Sequence, residues 1–409
     1  MREKQMRRRR LRNFLLAGII VIMLLAAFIL AGFHIFAAIG YRSLKNGAVS
    51  AGPTLGLEEN GSVQTKAPGG SAGSASINSS RQDTSSHEEE KPSEGTGAPA
   101  ETEEPEEAEI LSVPWQSDWV RYNNKIYDYN DDILTFLFLG IDKMEPVSKN
   151  PDLVSGGQSD AIFLVLLNPD TNKISIIGVN RDTMVEIRMV GLGANGEDRY
   201  TTAELAVQHG FGDGLNQSCE LTRDAVSKLF YNLPIHGYVS FNMGGIGALN
   251  DALGGVQLTV SEDMTKIHPG WTQGTEVTLM GQDAYDYVHY RDITIFESAR
   301  NRLARQKQYL SAMAAAALEG TKRDLTLPLT LYRAFSPYVV TDLSADEITY
   351  LASVIAGYSF DGSAIYTLEG STVKGAMFEE FYPDQAALKD LIIRLYYREI
   401  DAATGKPKR

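Results

Sequence analysis

The chain has 409 residues, 43% hydrophobic and 22% charged, which is enough to bury a sizeable core and too long for a mini-protein. A single cysteine, Cys219, excludes an intramolecular disulfide framework and a multi-cysteine zinc site, and is expected to be a small buried apolar residue. The net charge of -14 is unevenly spread, because residues 1–13 carry Arg2, Lys4, Arg7, Arg8, Arg9, Arg10 and Arg12 against Glu3 alone.

From Phe14 to Ala38 the sequence is apolar, with His34 its one titratable residue. That is longer than the ~20 residues a helix needs to cross the hydrocarbon layer, and longer than the apolar core of a cleavable signal peptide. Residues 14–38 are therefore expected to be an uncleaved transmembrane anchor. Positive residues stay on the cytoplasmic side, so residues 1–13 form a basic cytoplasmic tail and the remainder lies outside the cell membrane. This basic cluster abuts the span directly, which argues for a topology signal and against a nucleic-acid arm. Residues 39–112, rich in Gly, Ser, Pro and Glu, hold too little apolar surface to offset their ordering entropy and read as a disordered tether.

Beyond the tether, residues 113–132 read as an accessory hairpin turning at Asn123-Asn124. Strong strands are expected at Ile133 to Leu139, Ala161 to Leu167 and Lys173 to Val179, the last two joined by a turn over 168–172. Helical patterns cover Cys219 to Tyr231 and Met243 to Leu253, where Gly254-Gly255 stops the helix before a strand at Val256 to Val260. Further helices fit Gly281 to Tyr290, Glu297 to Leu318, a capped start at Ser344-x-x-Glu347, and Asp384 to Tyr397. Strands mixed with helices, without regular alternation or repeat, predict one α/β domain over residues 133–400 with a mixed central sheet flanked by helices, and a tail at 401–409.

Several chemistries are excluded. Gly157 to Ala161 falls short of GxSxG, and Ser159 precedes a strand where a nucleophile elbow leads from strand into helix. Ser371-Thr372-Val373-Lys374 matches SxxK but has no SDN or KTG partner. With no HExxH and only six scattered histidines a zinc peptidase lacks support, and a P-loop is absent too.

What remains is a set of charges at the ends of apolar strands, where a bare charge is costly unless paired or solvated. Asp142 closes one strand, Asp160 opens the next, and Arg181-Asp182 ends the third. Two carboxylates bracketing one loop suit a hard cation such as magnesium, whose shell is completed by phosphate and water. On the helix Glu297 to Leu318, Arg302, Arg305 and Gln306 lie at i, i+3 and i+4 and suit a phosphate. Taken singly, a strand-end aspartate is ordinarily a turn former, and an arginine row is ordinarily a solvated face.

The runs LFLGID, SDAIFLVLLNPDTNKISIIGVNRDTMV, YVSFNMGGIGALNDALGGVQLTV, LMGQDAYDYVHYRD and RLARQKQYL, in this order, resemble the successive blocks of the LytR-CpsA-Psr family of cell-wall enzymes. That resemblance implies a phosphotransferase that moves an anionic glycopolymer, of teichoic acid or capsular polysaccharide type, from a polyprenyl-pyrophosphate carrier to a hydroxyl of peptidoglycan. It places magnesium (or manganese) on Asp142 and Asp160, and pyrophosphate contacts on Arg181, Arg291, Arg302 and Gln306, with Arg305 between the last two. Asp182 is the expected proton acceptor, or else orients an arginine.

This sequence departs from the family pattern at several places, one of them a loop from Asp142 to Asp160 longer than usual. His289 stands where an arginine is usual, Asn180 where a proline is usual, and Arg199 with Thr201 where lysine and asparagine are common. A neutral His289 grips phosphate less firmly than arginine, which keeps open two alternatives: a non-catalytic envelope regulator that binds the lipid-linked polymer, and a polyprenyl-pyrophosphate hydrolase. Leu221, Leu229, Phe230, Ile246 and Leu249 are candidate walls for a lipid cavity, with ordinary core as the competing reading.

Overall fold

The computed structural model describes residues 37–47, 52–57, 112–150, 152, 154–292, 294–324, 326–355, 357–376 and 378–408. The expected anchor up to residue 36 and most of the tether lie outside them. Among the described residues no helix is long and apolar enough to cross a membrane.

In chain order the elements begin with α1 (37–47), β1 (Trp119–Tyr122), β2 (Lys125–Tyr129), β3 (Leu134–Ile141), β4 (Ser159–Asn168) and β5 (Lys173–Val179). There follow β6 (Met184–Met189), β7 (Arg199–Glu204), α2 (Asn216–Leu229), β8 (Gly237–Asn242), α3 (Gly245–Ala252), β9 (Val256–Thr259) and β10 (Glu276–Leu279). Next come α4 (Gly281–His289), α5 (Ser298–Arg323), α6 (Leu327–Phe335), β11 (Val339–Thr341) and α7 (Ala345–Ile355). The chain ends with β12 (Ser359–Thr367), β13 (Gly370–Lys374), β14 (Glu379–Pro383), α8 (Gln385–Tyr396) and β15 (Tyr397–Ile400).

The central sheet has six strands in the order β11-β8-β3-β4-β5-β12. The antiparallel meander β3-β4-β5 sits in the middle, β8 adds parallel to β3, and β12 adds parallel to β5. The fold is therefore mixed α/β, as the sequence predicts. Strands β3 and β4 are buried along nearly their whole length, as expected for central strands covered on both faces. Register puts Phe136 opposite Val165, Phe138 opposite Phe163, and Val165 opposite Ile176, so these side chains share one face of the sheet. On that face Phe163 and Ile176 join the core formed with Ile246, Val288, Leu303 and Tyr309 from α3, α4 and α5. At ~1.5 to 3 kcal/mol for each large apolar side chain removed from water, this layer is a principal source of the domain's stability.

Two boundaries differ from the sequence expectation. The tether does not begin at residue 39, because α1 continues to residue 47 and packs on the domain. Leu44 is fully buried with Leu134, Phe136 and Leu167, and the Tyr41 and Tyr350 rings lie 5.1 Å apart. At Gly40 an added Cβ would sit 2.0 Å from the Asp346 carbonyl oxygen, so only glycine permits this approach to α7. At the other end, one compact unit takes the described residues of Asn130–Tyr396 with those up to Thr54, and a second takes the described residues of Leu55–Tyr129 and Tyr397–Arg409. Within the second unit β15 pairs with β2 across Ile400↔Ile126, closing a three-stranded sheet around Trp119, Ile126 and Ile400. Residues 397–400 thus belong with the hairpin and not with the domain that precedes them.

Candidate active site

A β-bulge builds the centre of the site. Gly140 pairs with Ala161 and Ile141 pairs with Ser159, so Asp160 is the extra residue, free of a register partner, at the start of β4. Bulges re-aim a side chain, and here the carboxylate belongs to a residue only 4% exposed. Gly140 is required opposite, since a Cβ there would meet Met243 Cε at 2.9 Å and Ala161 Cβ at 3.0 Å. Asp142 follows β3, its backbone amide donating to the Gln158 carbonyl at 2.9 Å, which brings both ends of the 142–158 loop together.

Around Asp160 a layer of alternating charge assembles. Arg302 donates from Nη1 to Asp160 Oδ2 at 2.7 Å, and Arg181 donates from Nη1 to Oδ1 of the same carboxylate. His289 Nε2 lies 3.1 Å from Asp142 Oδ1 and 3.7 Å from Asp160 Oδ2. Asp182 lies between Arg181 Nε at 3.3 Å and Arg291 Nη2 at 3.2 Å, and the same Arg291 nitrogen donates to Glu379 Oε2 at 3.0 Å. The His289 hydrogen bond holds the Asp142 carboxyl below its ordinary range. Burial pushes the Asp182 carboxyl up, and burial lowers the Arg302 guanidinium to about 10. Every arginine of the layer is already paired with a carboxylate, so an anionic ligand gains most from donors that remain unspent. Nη2 of Arg302 is such a donor, buried without a hydrogen-bond partner among the described residues.

Two hollows adjoin these residues, an apolar cavity and a cleft with charged groups in its lining. The cavity, about 340 Å³, is lined among others by Phe138, Phe163, Val165, Ile246, Leu310 and Phe335. Ala161 and Gln306, neighbours of Asp160 and Arg305 in the chain, also line it. A cleft of about 570 Å³ is lined by the charged groups of Arg181, Asp182, Arg291, Glu379 and Lys374 together with apolar side chains such as Val207, Phe296 and Phe378. Of the apolar residues singled out in the sequence, Ile246 and Leu249 line the cavity, whereas Leu221, Leu229 and Phe230 do not.

Asp142, Asp160, Arg181, Asp182, His289, Arg291 and Arg302 converge. Arg305 and Arg199 do not. Arg305 is clamped in the core: Nη1 donates to the Tyr287 carbonyl at 2.5 Å, Nη2 to the Tyr290 carbonyl, and Nε pairs with Glu262 at 2.7 Å. Its three-residue spacing from Arg302 turns it toward α4 instead. Arg199 is exposed at the far end of β7 from Glu204, the β7 residue that lines the cleft. Gln306 is buried beside Asp160, but its amide donates to the Asp160 and Val288 carbonyls at 3.3 and 3.2 Å, which fixes the bulge to the end of α4. Arg300 stays exposed and faces Glu297, so of these two arginines it is Arg302 that reaches Asp160.

Sequence reasoning missed Glu379, Ser298 and Gln158. Glu379 takes Arg291 on one oxygen and the Glu297 backbone amide on the other at 2.9 Å, where Glu297 adopts a left-handed φ of 61°. Ser298 Oγ accepts from Arg291 Nε at 2.9 Å, and Gln158 Oε1 accepts from Arg181. Asn180 also has an explanation. Its Oδ1 accepts the Asp182 amide at 3.1 Å, an Asx turn that shapes the loop where a proline would do so by its ring.

A model of the LytR_cpsA_psr family matches residues 81–391. The chain belongs to this family. Among similar proteins, one of Oceanobacillus iheyensis named polyisoprenyl-teichoic acid–peptidoglycan teichoic acid transferase TagU is 27% identical over 260 residues, 62% of this chain and 73% of that one. A Bacillus cereus protein of the same name is 28% identical over 193 residues, 47% of this chain and 57% of its own length. The crystal structure of protein gbs0355 from Streptococcus agalactiae superposes with a TM-score of 0.51 at 19% identity, covering 68% of this chain and 90% of that one, a likeness of fold. The layer around Asp160 thus lies on a LytR_cpsA_psr domain.

Proposed function

We propose that this chain transfers an anionic glycopolymer, of teichoic acid or capsular type, from a polyprenyl-pyrophosphate carrier to a hydroxyl of peptidoglycan on the outer side of the cell membrane. The observation that carries the reading is the charged layer of Asp160, Arg181 and Arg302, with an apolar cavity reaching Ala161 beside Asp160 and a charge-lined cleft reaching Arg181. Such a donor has a long hydrocarbon chain, a diphosphate and a hydrophilic polymer, and the apolar cavity, the arginines and the charge-lined cleft offer a surface for each. The relatives named as teichoic acid transferases support the same class of reaction. The apolar run 14–38 supports a single membrane anchor with the N-terminus inside.

In this reading the acceptor hydroxyl attacks the phosphorus that carries the glycan. A phosphodiester to peptidoglycan forms, the bridging P–O bond breaks, and polyprenyl monophosphate leaves with the electron pair. Arg302 and Arg181, positioned through Asp160, stabilise charge growing on the diphosphate, and the unspent Nη2 of Arg302 is a donor held ready for it. Asp182 lines the cleft by which the acceptor approaches, and burial raises its affinity for a proton, so it takes the hydroxyl proton while holding Arg181 and Arg291 in place.

Asp142, Asp160 and His289 each offer a ligand atom, all within 4.8 Å of one another, which fits a divalent cation of the magnesium or manganese kind. Such an ion, when bound, supplies positive charge to the phosphate oxygens. Purified full-length protein, given a polyprenyl-diphosphate-linked saccharide, a divalent cation and peptidoglycan oligomers, is expected to yield coupled saccharide, with coupling abolished in Asp142→Ala and Arg181→Ala. Release of phosphorylated saccharide without coupling would make the chain a hydrolase, and binding without turnover would make it a regulator.

A further inference from the structure

The cation site assumed above contains one nitrogen donor, and that donor sets which ion the site prefers. His289 ends α4, with its ring stacked on Tyr285 at a centroid distance of 4.7 Å and an interplanar angle of 16°. This stacking holds the imidazole plane, so that Nε2 is directed between Asp142 and Asp160. Its separation of 3.1 Å from Asp142 is that of neighbouring ligands on an octahedral ion, and its 3.7 Å from Asp160 is longer. Bonds of about 2.1 Å at right angles put adjacent ligand atoms roughly 3 Å apart. A cation therefore enters with small side-chain adjustments, in place of the Asp142–His289 hydrogen bond.

Asp160 remains able to ligate although Arg302 holds one oxygen and Arg181 the other, because each carboxylate oxygen carries a second lone pair. The site also has an anion partner on the protein side. Arg302, only 4% exposed, has no partner for Nη2 among the described residues, so the guanidinium paired with Asp160 keeps one donor uncommitted. Magnesium favours oxygen and water and gains little from imidazole, whereas first-row transition ions gain from a nitrogen ligand.

We infer that Asp142, Asp160 and His289 form a three-ligand site selective for manganese-type divalent ions over magnesium, with His289 Nε2 bonded to the metal. The inference rests on reading this cluster as the cation site of the proposed transferase. Full-length protein in detergent micelles, titrated separately with Mn2+ alone and Mg2+ alone, provides the test. Pulsed electron paramagnetic resonance of bound Mn2+ is expected to show nitrogen-14 modulation from one imidazole, and His289→Gln is expected to remove it. The preference for Mn2+ over Mg2+ is expected to fall at least tenfold in His289→Gln. Bound Mn2+ without nitrogen modulation in the unaltered protein, a preference unchanged by His289→Gln, or no Mn2+ binding at all would overturn the assignment. The first of these needs no variant to fold. A protein that carries the nitrogen signal yet couples no saccharide would keep this metal assignment and defeat the transfer reading instead.

Discussion

Arg302 and Asp160 form a buried ion pair, Nη1 to Oδ2 at 2.7 Å, in which each residue is 4% exposed. Removing one partner of such a pair strands the other charge away from water and typically costs about 3 to 5 kcal/mol, whereas removing both is milder. Arg302→Met is therefore expected to lower unfolding stability by several kcal/mol, and Asp160→Asn combined with Arg302→Met to recover part of that loss. A denaturant double-mutant cycle measures the coupling. Strict additivity of the two substitutions would show that the pair carries no energy of its own.

Arg305 separates structural from chemical arginines. Its guanidinium is used on the Tyr287 and Tyr290 carbonyls and on Glu262, and none of these groups belongs to the layer around Asp160. Arg305→Lys is expected to destabilise the protein by about 1 to 3 kcal/mol, as donors to buried carbonyls are lost. Turnover of the folded fraction should change less than threefold. The comparison is thermal unfolding against kcat, and a kcat loss as large as that of Arg302→Met would place Arg305 in the reaction.

Filling the apolar cavity distinguishes lipid accommodation from core packing. Val165 is half-buried, lines the cavity, and stands beside Phe163 and Ile176. Val165→Phe is expected to raise KM at least tenfold for a long-chain polyprenyl donor and less than twofold for a donor with a short prenyl chain. An equal change for both donors would detach the cavity from the lipid.

Acid stability has a defined sign. His209 is almost fully buried, and burial lowers its imidazole to about 4 from an ordinary 6.5. The unfolded chain therefore binds a proton that the folded chain refuses between those values, so stability is full above about pH 6.5 and falls as the pH drops toward 4. That contribution is on the order of 3 kcal/mol. His236 acts in the same direction, since burial lowers it also to about 4. Melting temperature followed from pH 7 to 4.5 is expected to fall more steeply in the unaltered protein than in His209→Gln.

Much of the fold was legible because it follows from local pattern. The apolar runs of β3, β4 and β5 mark central strands, and the Asn123-Asn124 turn has the positive φ values its residues tolerate. Strand-end charges likewise marked Asp142, Asp160, Arg181 and Asp182. What escaped the sequence depended on long-range placement. Asp160 reads as an ordinary first residue of a strand until the register reveals the bulge. Glu379 meets Arg291 through β14, nearly 90 positions further on, with no local signal. Arg305 was misplaced for a different reason: helical spacing gives the relative angle of two side chains but not which of them faces the site, and a three-residue step is enough to turn one into the core.

The central claim is that one bridging P–O bond is exchanged for a phosphodiester to peptidoglycan, and product stoichiometry tests it most directly. With full-length protein in micelles, polyprenyl monophosphate and peptidoglycan-linked saccharide phosphate are measured in the same reaction by mass spectrometry. The account predicts that they appear in equal amounts, that both depend on added acceptor, and that both are lost in Arg302→Met protein shown to be folded. Polyprenyl monophosphate formed without acceptor, in excess of coupled saccharide, would contradict it.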